Sequence, residues 1–164
     1  MKSMYDTILE LPLFQGISSE SLTTILDKAA LHFEKKSQGE VIIQSGTTCN
    51  ELTFIIEGNV EKTTQGKENS TFIASEPVST PYVIEPCSLF GKQTVYRSTY
   101  TALSNVNVMS ISKDYVVQIL MKDEVFLFNF LNQICKHSQL LENRLWDMVN
   151  YSHSMVEGGL DEIS

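Results

Sequence analysis

The sequence predicts an α+β fold, mainly β, in which a small antiparallel roll of short strands carries N-terminal helices and leads into a long C-terminal helix. Two features carry that expectation. The stretch from Gly39 to Val60 places two short runs rich in β-branched and aromatic residues, Val41–Ile43 and Leu52–Ile56, between glycines at 39, 46 and 58. From Asp123 onward, apolar residues recur at the alternating spacing of a helix face instead of the strict alternation of a strand.

Taken in order, residues 3–10 suit a short helix that stops before Leu11-Pro12, because a proline pushes the residue before it out of the helical region. Ser18 is placed to cap a second helix, with Glu20 in its first turn. Leu22, Ile25, Leu26 and Ala29 share one face of that helix, which is expected to end near Leu31. His32–Lys36 begins a strand, and Ser37-Gln38-Gly39 turns it. Gly58, between Ile56 and Val60, predicts a tight hairpin, since glycine reaches positive φ without steric cost. Gly39 and Gly46 read as turns for the same reason. Thr63–Asn69 reads as an exposed turn around Gly66, and Ser70–Ser75 as a strand. Pro77, Pro81 and Pro86 confine Tyr82–Ile84 to a short or edge strand. Tyr96–Leu103 and Asn105–Ser110 are the last two strands; in the second, Val106, Val108 and Ser110 alternate with Asn107 and Met109. Lys113–Lys122 suits a helix.

The final helix is expected from about Asp123 to Val149. Leu127, Leu131, Ile134, Ser138, Leu141, Leu145 and Met148 follow the a/d pattern of a two-stranded coiled coil over about three heptads. Ser138 is the polar member of that seam. A second stripe, Val125, Phe126 and Phe130, is placed to pack on the roll. One monomer can bury only one of the two stripes, so a homodimer through this helix is expected, the alternative being that both pack within the chain. The tail from Tyr151 to Ser164, with Gly158-Gly159 and three carboxylates, reads as flexible. The chain therefore divides into a roll with flanking helices (1–122), a dimerisation helix (123–150) and a flexible acidic tail (151–164).

Composition narrows the function. At 164 residues and 42% apolar content the chain suits one hydrophobic core. No run approaches the roughly 18 apolar residues of a membrane helix and no signal segment opens the chain, so a cytoplasmic protein without membrane contact is expected. Cys49, Cys87 and Cys135 lie far apart without a Cys-x-x-Cys pair, which argues for reduced packing residues and no metal or cofactor. Twenty acidic residues against twelve basic ones give a net charge of −8, which repels a polyanion and disfavours nucleic-acid binding by this chain alone. His32, His137 and His153 have no nucleophile arranged around them, and no phosphate-loop or His-Glu-x-x-His pattern is present, so no catalytic residues are assigned.

The order Ile42-Ile43, Gly46-Thr47, Cys49, Leu52-Thr53-Phe54-Ile55 and Gly58 resembles the first signature of cyclic-nucleotide-binding domains, with Thr53 standing where an apolar residue is usual. With Leu13-Phe14-Gln15-Gly16-Ile17 upstream, the chain resembles, over roughly residues 10–149, the sensor half of bacterial Crp/Fnr-type transcription regulators. The resemblance implies an antiparallel double-stranded β-helix, a jelly-roll-like and cupin-like β-roll. It also implies a ligand site, because in that family a phosphate is held by a cassette opening Phe-Gly-Glu and closing Arg-Ser or Arg-Thr. Phe90-Gly91-Lys92-Gln93 and Arg97-Ser98, followed by Tyr100, stand in its place. The physical logic is a short helix whose free N–H groups face an anion, with an arginine forking onto the phosphate. Lys92 replaces the glutamate that accepts from the ribose hydroxyl, and a lysine has no acceptor to offer. The segment ahead of Arg97 is also short. Both departures weigh against cyclic AMP and leave another small anionic or apolar effector, or a pocket collapsed on the chain's own side chains.

The function implied is a non-enzymatic, effector-sensing and dimerising domain of a Crp/Fnr-like regulator, reaching DNA only through a helix-turn-helix domain that residues 1–164 do not contain. The alternative is a ligand-free, standalone dimeric protein-interaction module. The two part on whether the pocket lined by residues 89–101 is open or filled by Phe90, Tyr96 or Tyr100.

Overall fold

A computed structural model of the chain describes residues 3–29, 31–66 and 73–158. Within them, the strands are β1 (His32–Lys36), β2 (Val41–Ile43), β3 (Glu51–Glu57), β4 (Val60–Gln65), β5 (Ile73–Val78), β6 (Tyr82–Ile84), β7 (Thr99–Ala102) and β8 (Val106–Ser112); of the run Tyr96–Leu103 read as a strand, residues 96–98 form a loop instead. They pair antiparallel in two four-stranded sheets, ordered β1-β8-β3-β6 and β2-β7-β4-β5. This is the expected jelly-roll. Contacts divide the chain into two compact units, residues 1–130 and 131–164.

The helices of the first unit follow their caps. Ser3 and Asp6 form a capping box at the start of α1 (Met4–Glu10), each side chain accepting from the other's backbone N–H at 3.1 Å. Ser18 caps α2 (Ser19–Leu26), which buries Leu22 and Ile25. That helix ends earlier than its apolar face suggested, because Lys28 and Ala29 donate back only three residues, to Ile25 and Leu26, and tighten the last turn. Pro86 occupies the first turn of α3 (Pro86–Phe90). The expected helix over 113–122 is α4 (Lys113–Gln118), capped by Ser112, followed by a separate tight turn at Leu120–Lys122.

Gly58 corrects the hairpin expectation. β3 and β4 on either side of it belong to opposite sheets, so the turn at Gly58-Asn59 carries the chain from one sheet to the other. Gly58 has φ +111°, and a Cβ there would lie 2.6 Å from the Asn105 carbonyl oxygen and 2.9 Å from Val106 Cα. The two inter-sheet corners are joined: Asn59 N–H donates to Ser104 Oγ at 2.9 Å, and Leu103 N–H donates to the Asn59 carbonyl at 2.8 Å. The turn read over Thr63–Asn69 is corrected too. Thr63, Thr64 and Gln65 extend β4 and pair with Ser75, Ala74 and Ile73 of β5. These residues carry no apolar alternation, so burial gave no signal, while backbone pairing and the Lys62–Glu76 ion pair at 2.8 Å hold the arm. The part of the expected turn and strand that falls on 67–72 lies outside the described residues. Pro77 sits inside β5 because β5 is an edge strand, and Tyr82–Ile84 is an edge of the other sheet, as the prolines required.

The core lies on both faces of the central pair β3 and β8. Leu52, Thr53, Phe54 and Ile55 are all buried, as are Val106 and Val108–Ile111. Met109 was expected opposite the buried face, yet it is fully buried. A strand covered on both sides reads as a continuous run. The helical side is closed by rings: Phe54 packs on Phe14 at 5.7 Å, and Phe14 on Phe126 at 5.4 Å. Thr53, the polar departure in the signature, is buried beside Ser110 in register.

The last helix, α5, runs Glu124–Gly158, begins in the first unit and forms the described part of the second. Asp123 caps it, its carboxylate accepting from Phe126 N–H at 2.9 Å. Phe126 and Phe130 are buried as the second stripe requires, whereas Val125 is 39% exposed. The helix continues past Asn150, where the flexible tail was expected, because no glycine or proline interrupts it before Gly158-Gly159. Residues 159–164 lie outside the described residues. Among the described residues no helix is long and apolar enough to cross a membrane.

Candidate functional site

The cassette residues are set by α3 and by the loop that leads into β7. Gly91 closes α3, its N–H donating to the Cys87 carbonyl at 2.8 Å; a Cβ there would stand 2.9 Å from that oxygen. Gly91, Lys92, Gln93 and Arg97 come together, with Cys87 and Ser88, around a cleft of about 250 Å³. Phe90 does not join them. Its ring meets Phe130 edge-on at 5.6 Å, with the Lys113 ammonium 5.4 Å from its centroid. Ser98 and Tyr100 are buried and do not line the cleft.

The loop at 97–99 is braced from two directions. Ser45 donates its hydroxyl to the Arg97 carbonyl at 3.0 Å and its N–H to Thr99 Oγ1 at 3.1 Å. The hydroxyls of Thr64 and Ser98 meet at 2.8 Å. This bracing points the consecutive N–H groups of Arg97 and Ser98 at one spot, a concavity that suits an anion.

That spot holds Glu85, a residue sequence reasoning did not select. Its carboxylate accepts from Arg97 N–H at 2.7 Å and Ser88 Oγ–H at 3.2 Å on one oxygen, and from Ser98 N–H at 3.0 Å and the Tyr100 hydroxyl at 3.3 Å on the other. Glu85 stands immediately before Pro86 with a left-handed backbone, φ 36° and ψ 58°. No periodicity or motif marks such a residue, so its partners at 97, 98 and 100 were not legible beforehand.

The interior beside this site is filled by the chain. Tyr100 of β7 is wholly buried with its ring 6.2 Å from Tyr82 of β6, so the pair spans the two sheets. Tyr96 is buried and donates its hydroxyl to the Glu51 carbonyl at 3.2 Å. Burial pushes both phenols well above the ordinary tyrosine value; Tyr82 and Glu85 add to the rise at Tyr100, and the Cys49 thiol to that at Tyr96. Burial likewise raises the Cys49 and Cys87 thiols, while the Arg97 charge works the other way on Cys87. All three cysteines are free. Among the described residues no group of His, Cys, Asp and Glu side chains could hold a metal ion.

The raised phenols predict an alkaline instability. Below the unfolded tyrosine pKa of about 10 both states keep these protons, and the stabilisation is fully present. Above it the unfolded chain releases protons that the folded chain retains, so stability falls with rising pH by about 1.4 kcal/mol per pH unit for each such group. Tyr100→Phe is expected to remove one group's share of that slope, measured by urea unfolding between pH 9 and 11; an unchanged slope would show that Tyr100 ionises freely in the fold.

At the a/d positions of α5, Leu127, Leu131, Leu141, Leu145 and Met148 are 38%, 51%, 44%, 61% and 69% exposed. Ser138 is exposed and Ile134 half-buried.

Comparison with known proteins places the site in context. Residues 33–123 match the family described as the cyclic nucleotide-binding domain. The potassium channel KOR2 of Oryza sativa subsp. japonica is 25% identical over 115 residues, covering 62% of this chain and 16% of that protein. The chain thus spans about a sixth of the length of that curated relative. The catabolite activator protein of Thermus thermophilus shares the fold at a TM-score of 0.70 and 13% identity, over 82% of this chain and 61% of that one. The sensor domain of the transcriptional regulator DNR from Pseudomonas aeruginosa does so at a TM-score of 0.64 and 14% identity, over 81% of this chain and 91% of that one.

Proposed function

The chain belongs to the cyclic nucleotide-binding domain family, and from that membership we propose that it is the effector-sensing and dimerisation domain of a Crp/Fnr-like bacterial transcription regulator, with a cassette that does not take cyclic AMP. The observation that carries this reading is the exposed apolar seam of α5. Leu131, Leu141, Leu145 and Met148 are each more than two-fifths exposed at a/d positions, where a second copy of the same helix supplies the matching holes. The likeness to the sensor domain of DNR and to the catabolite activator protein supports the regulator role. In this reading the protein is cytoplasmic and non-enzymatic, DNA contact falls to a helix-turn-helix domain outside residues 1–164, and a small molecule other than cyclic AMP sets the state of the dimer.

A second reading, a ligand-free dimeric protein-interaction module, is favoured by Tyr96 and Tyr100 filling the interior beside residues 89–101. The two separate in a thermal-shift scan of the purified chain against cyclic AMP, cyclic GMP and a panel of small anions and metabolites. A ligand at about 100 times its Kd adds roughly 2.7 kcal/mol, or about 5–10 °C for a chain of this size. The expected outcome is no shift with either cyclic nucleotide. A shift of that size with cyclic AMP would overturn the cassette reading, a shift with another small molecule would identify the effector class, and a flat panel would leave the interaction module.

A further inference from the structure

We propose that Glu85 is a tethered anion: its carboxylate occupies an oxyanion site built by the consecutive N–H groups of Arg97 and Ser98, so that the site is self-liganded and accepts an external phosphate group only when Glu85 is withdrawn. This rests on the placement of the cassette described above but not on the identity of any effector.

Three features converge on it. Four donors meet one carboxylate: the N–H groups of Arg97 and Ser98 at 2.7 and 3.0 Å, and the hydroxyls of Ser88 and Tyr100 at 3.2 and 3.3 Å. Two backbone donors and two hydroxyls disposed over two oxygens match what a phosphate oxyanion requires. The donors are held independently of the carboxylate, because Ser45 fixes the Arg97 carbonyl and Thr64 fixes the Ser98 hydroxyl; the concavity therefore outlasts the loss of Glu85. Finally, Ser88 and Arg97, which both bond the same Glu85 oxygen, also line the cleft that contains Lys92. An anion arriving from that cleft meets two cationic side chains on the way to the N–H pair.

The occupant is held at a cost. Glu85 adopts φ 36°, a left-handed conformation disfavoured for a residue with a Cβ. Glycine at this position relieves that strain and removes the carboxylate together, which makes Glu85→Gly the informative variant.

The test measures binding of inorganic phosphate and of cyclic AMP to the wild type and to Glu85→Gly by calorimetry, against chloride at equal ionic strength. The wild type is expected to bind neither. Glu85→Gly is expected to bind phosphate at least tenfold more tightly than the wild type, with a melting temperature that climbs with phosphate concentration. An equal gain for both probes marks the phosphate group as the whole of what is recognised, and a larger gain for cyclic AMP marks a nucleotide as the source. A cooperatively folded Glu85→Gly that binds phosphate no better than the wild type overturns the proposal. Cyclic AMP binding by the wild type overturns both the cassette reading and this proposal, whereas a folded Glu85→Gly without a gain for phosphate overturns the proposal alone, so the two failures are distinct. Should Glu85→Gly not fold, amide hydrogen exchange decides. The N–H groups of Arg97 and Ser98 are expected to be protected in the wild type, and one of the two is expected to lose at least tenfold of that protection in Glu85→Gln, whose single amide oxygen accepts on one side only; equal protection of both N–H groups in the two proteins sinks the idea.

Discussion

Gly58→Ala is expected to destabilise the first unit by about 4 kcal/mol, lowering the melting temperature by roughly 10 °C. Two costs add at this position. A φ of +111° lies outside the left-handed basin that other residues tolerate, and holding alanine there costs about 1–3 kcal/mol. The new Cβ would also stand 2.6 Å from the Asn105 carbonyl oxygen and 2.9 Å from Val106 Cα, both backbone atoms of the facing corner, so relief requires the two inter-sheet turns to part. Overpacking of that kind adds about 1–3 kcal/mol. Gly46→Ala separates the two costs. Gly46 has φ +83°, but nothing lies within 4 Å of its would-be Cβ, so only the backbone cost applies. Urea unfolding of both variants checks the difference. Equal losses at the two positions would mean that the contact with Asn105 contributes nothing.

Leu141→Asp is expected to convert the proposed dimer to a monomer. In a two-fold symmetric seam the substitution enters twice and buries two carboxylates facing each other. An uncompensated buried charge costs about 3–5 kcal/mol, and every 1.4 kcal/mol is tenfold in affinity, so the dissociation constant is expected to rise at least about a hundredfold. Light scattering at micromolar concentration should then report half the wild-type mass. Leu140→Asp is the control, since Leu140 is 55% exposed but stands off the a/d register, and it should leave the mass unchanged. A Leu141→Asp protein with wild-type mass would rule out this seam as the interface.

The local features of this chain were legible residue by residue. Gly39, Gly46 and Gly58 all adopt positive φ, as their positions between apolar runs required. Ser18 caps the helix it precedes. The apolar periodicity after Asp123 gave the start of α5, whereas the helix runs on past the expected end near Val149 to Gly158. Less legible were features that depend on what a segment meets. Thr63–Gln65 looks like a loop because its strand is stabilised by pairing with β5 and not by burial. Met109 looks solvent-facing because alternation assumes one buried face, whereas β8 is covered on two.

At the candidate site the division is sharper. The sequence alone determined the family signature, the turn glycines, the cassette's Gly91, Lys92, Gln93 and Arg97, and the long helix, because a turn, a cap or a helical period is written within a few neighbouring residues. Only the tertiary structure decided that Gly58 joins two sheets, that Tyr96 and Tyr100 fill the interior, and that Glu85 occupies the N–H groups of Arg97 and Ser98. Those outcomes depend on how strands far apart in the chain are brought into register, and a hydrogen bond across 12 residues has no local spacing by which it can be read.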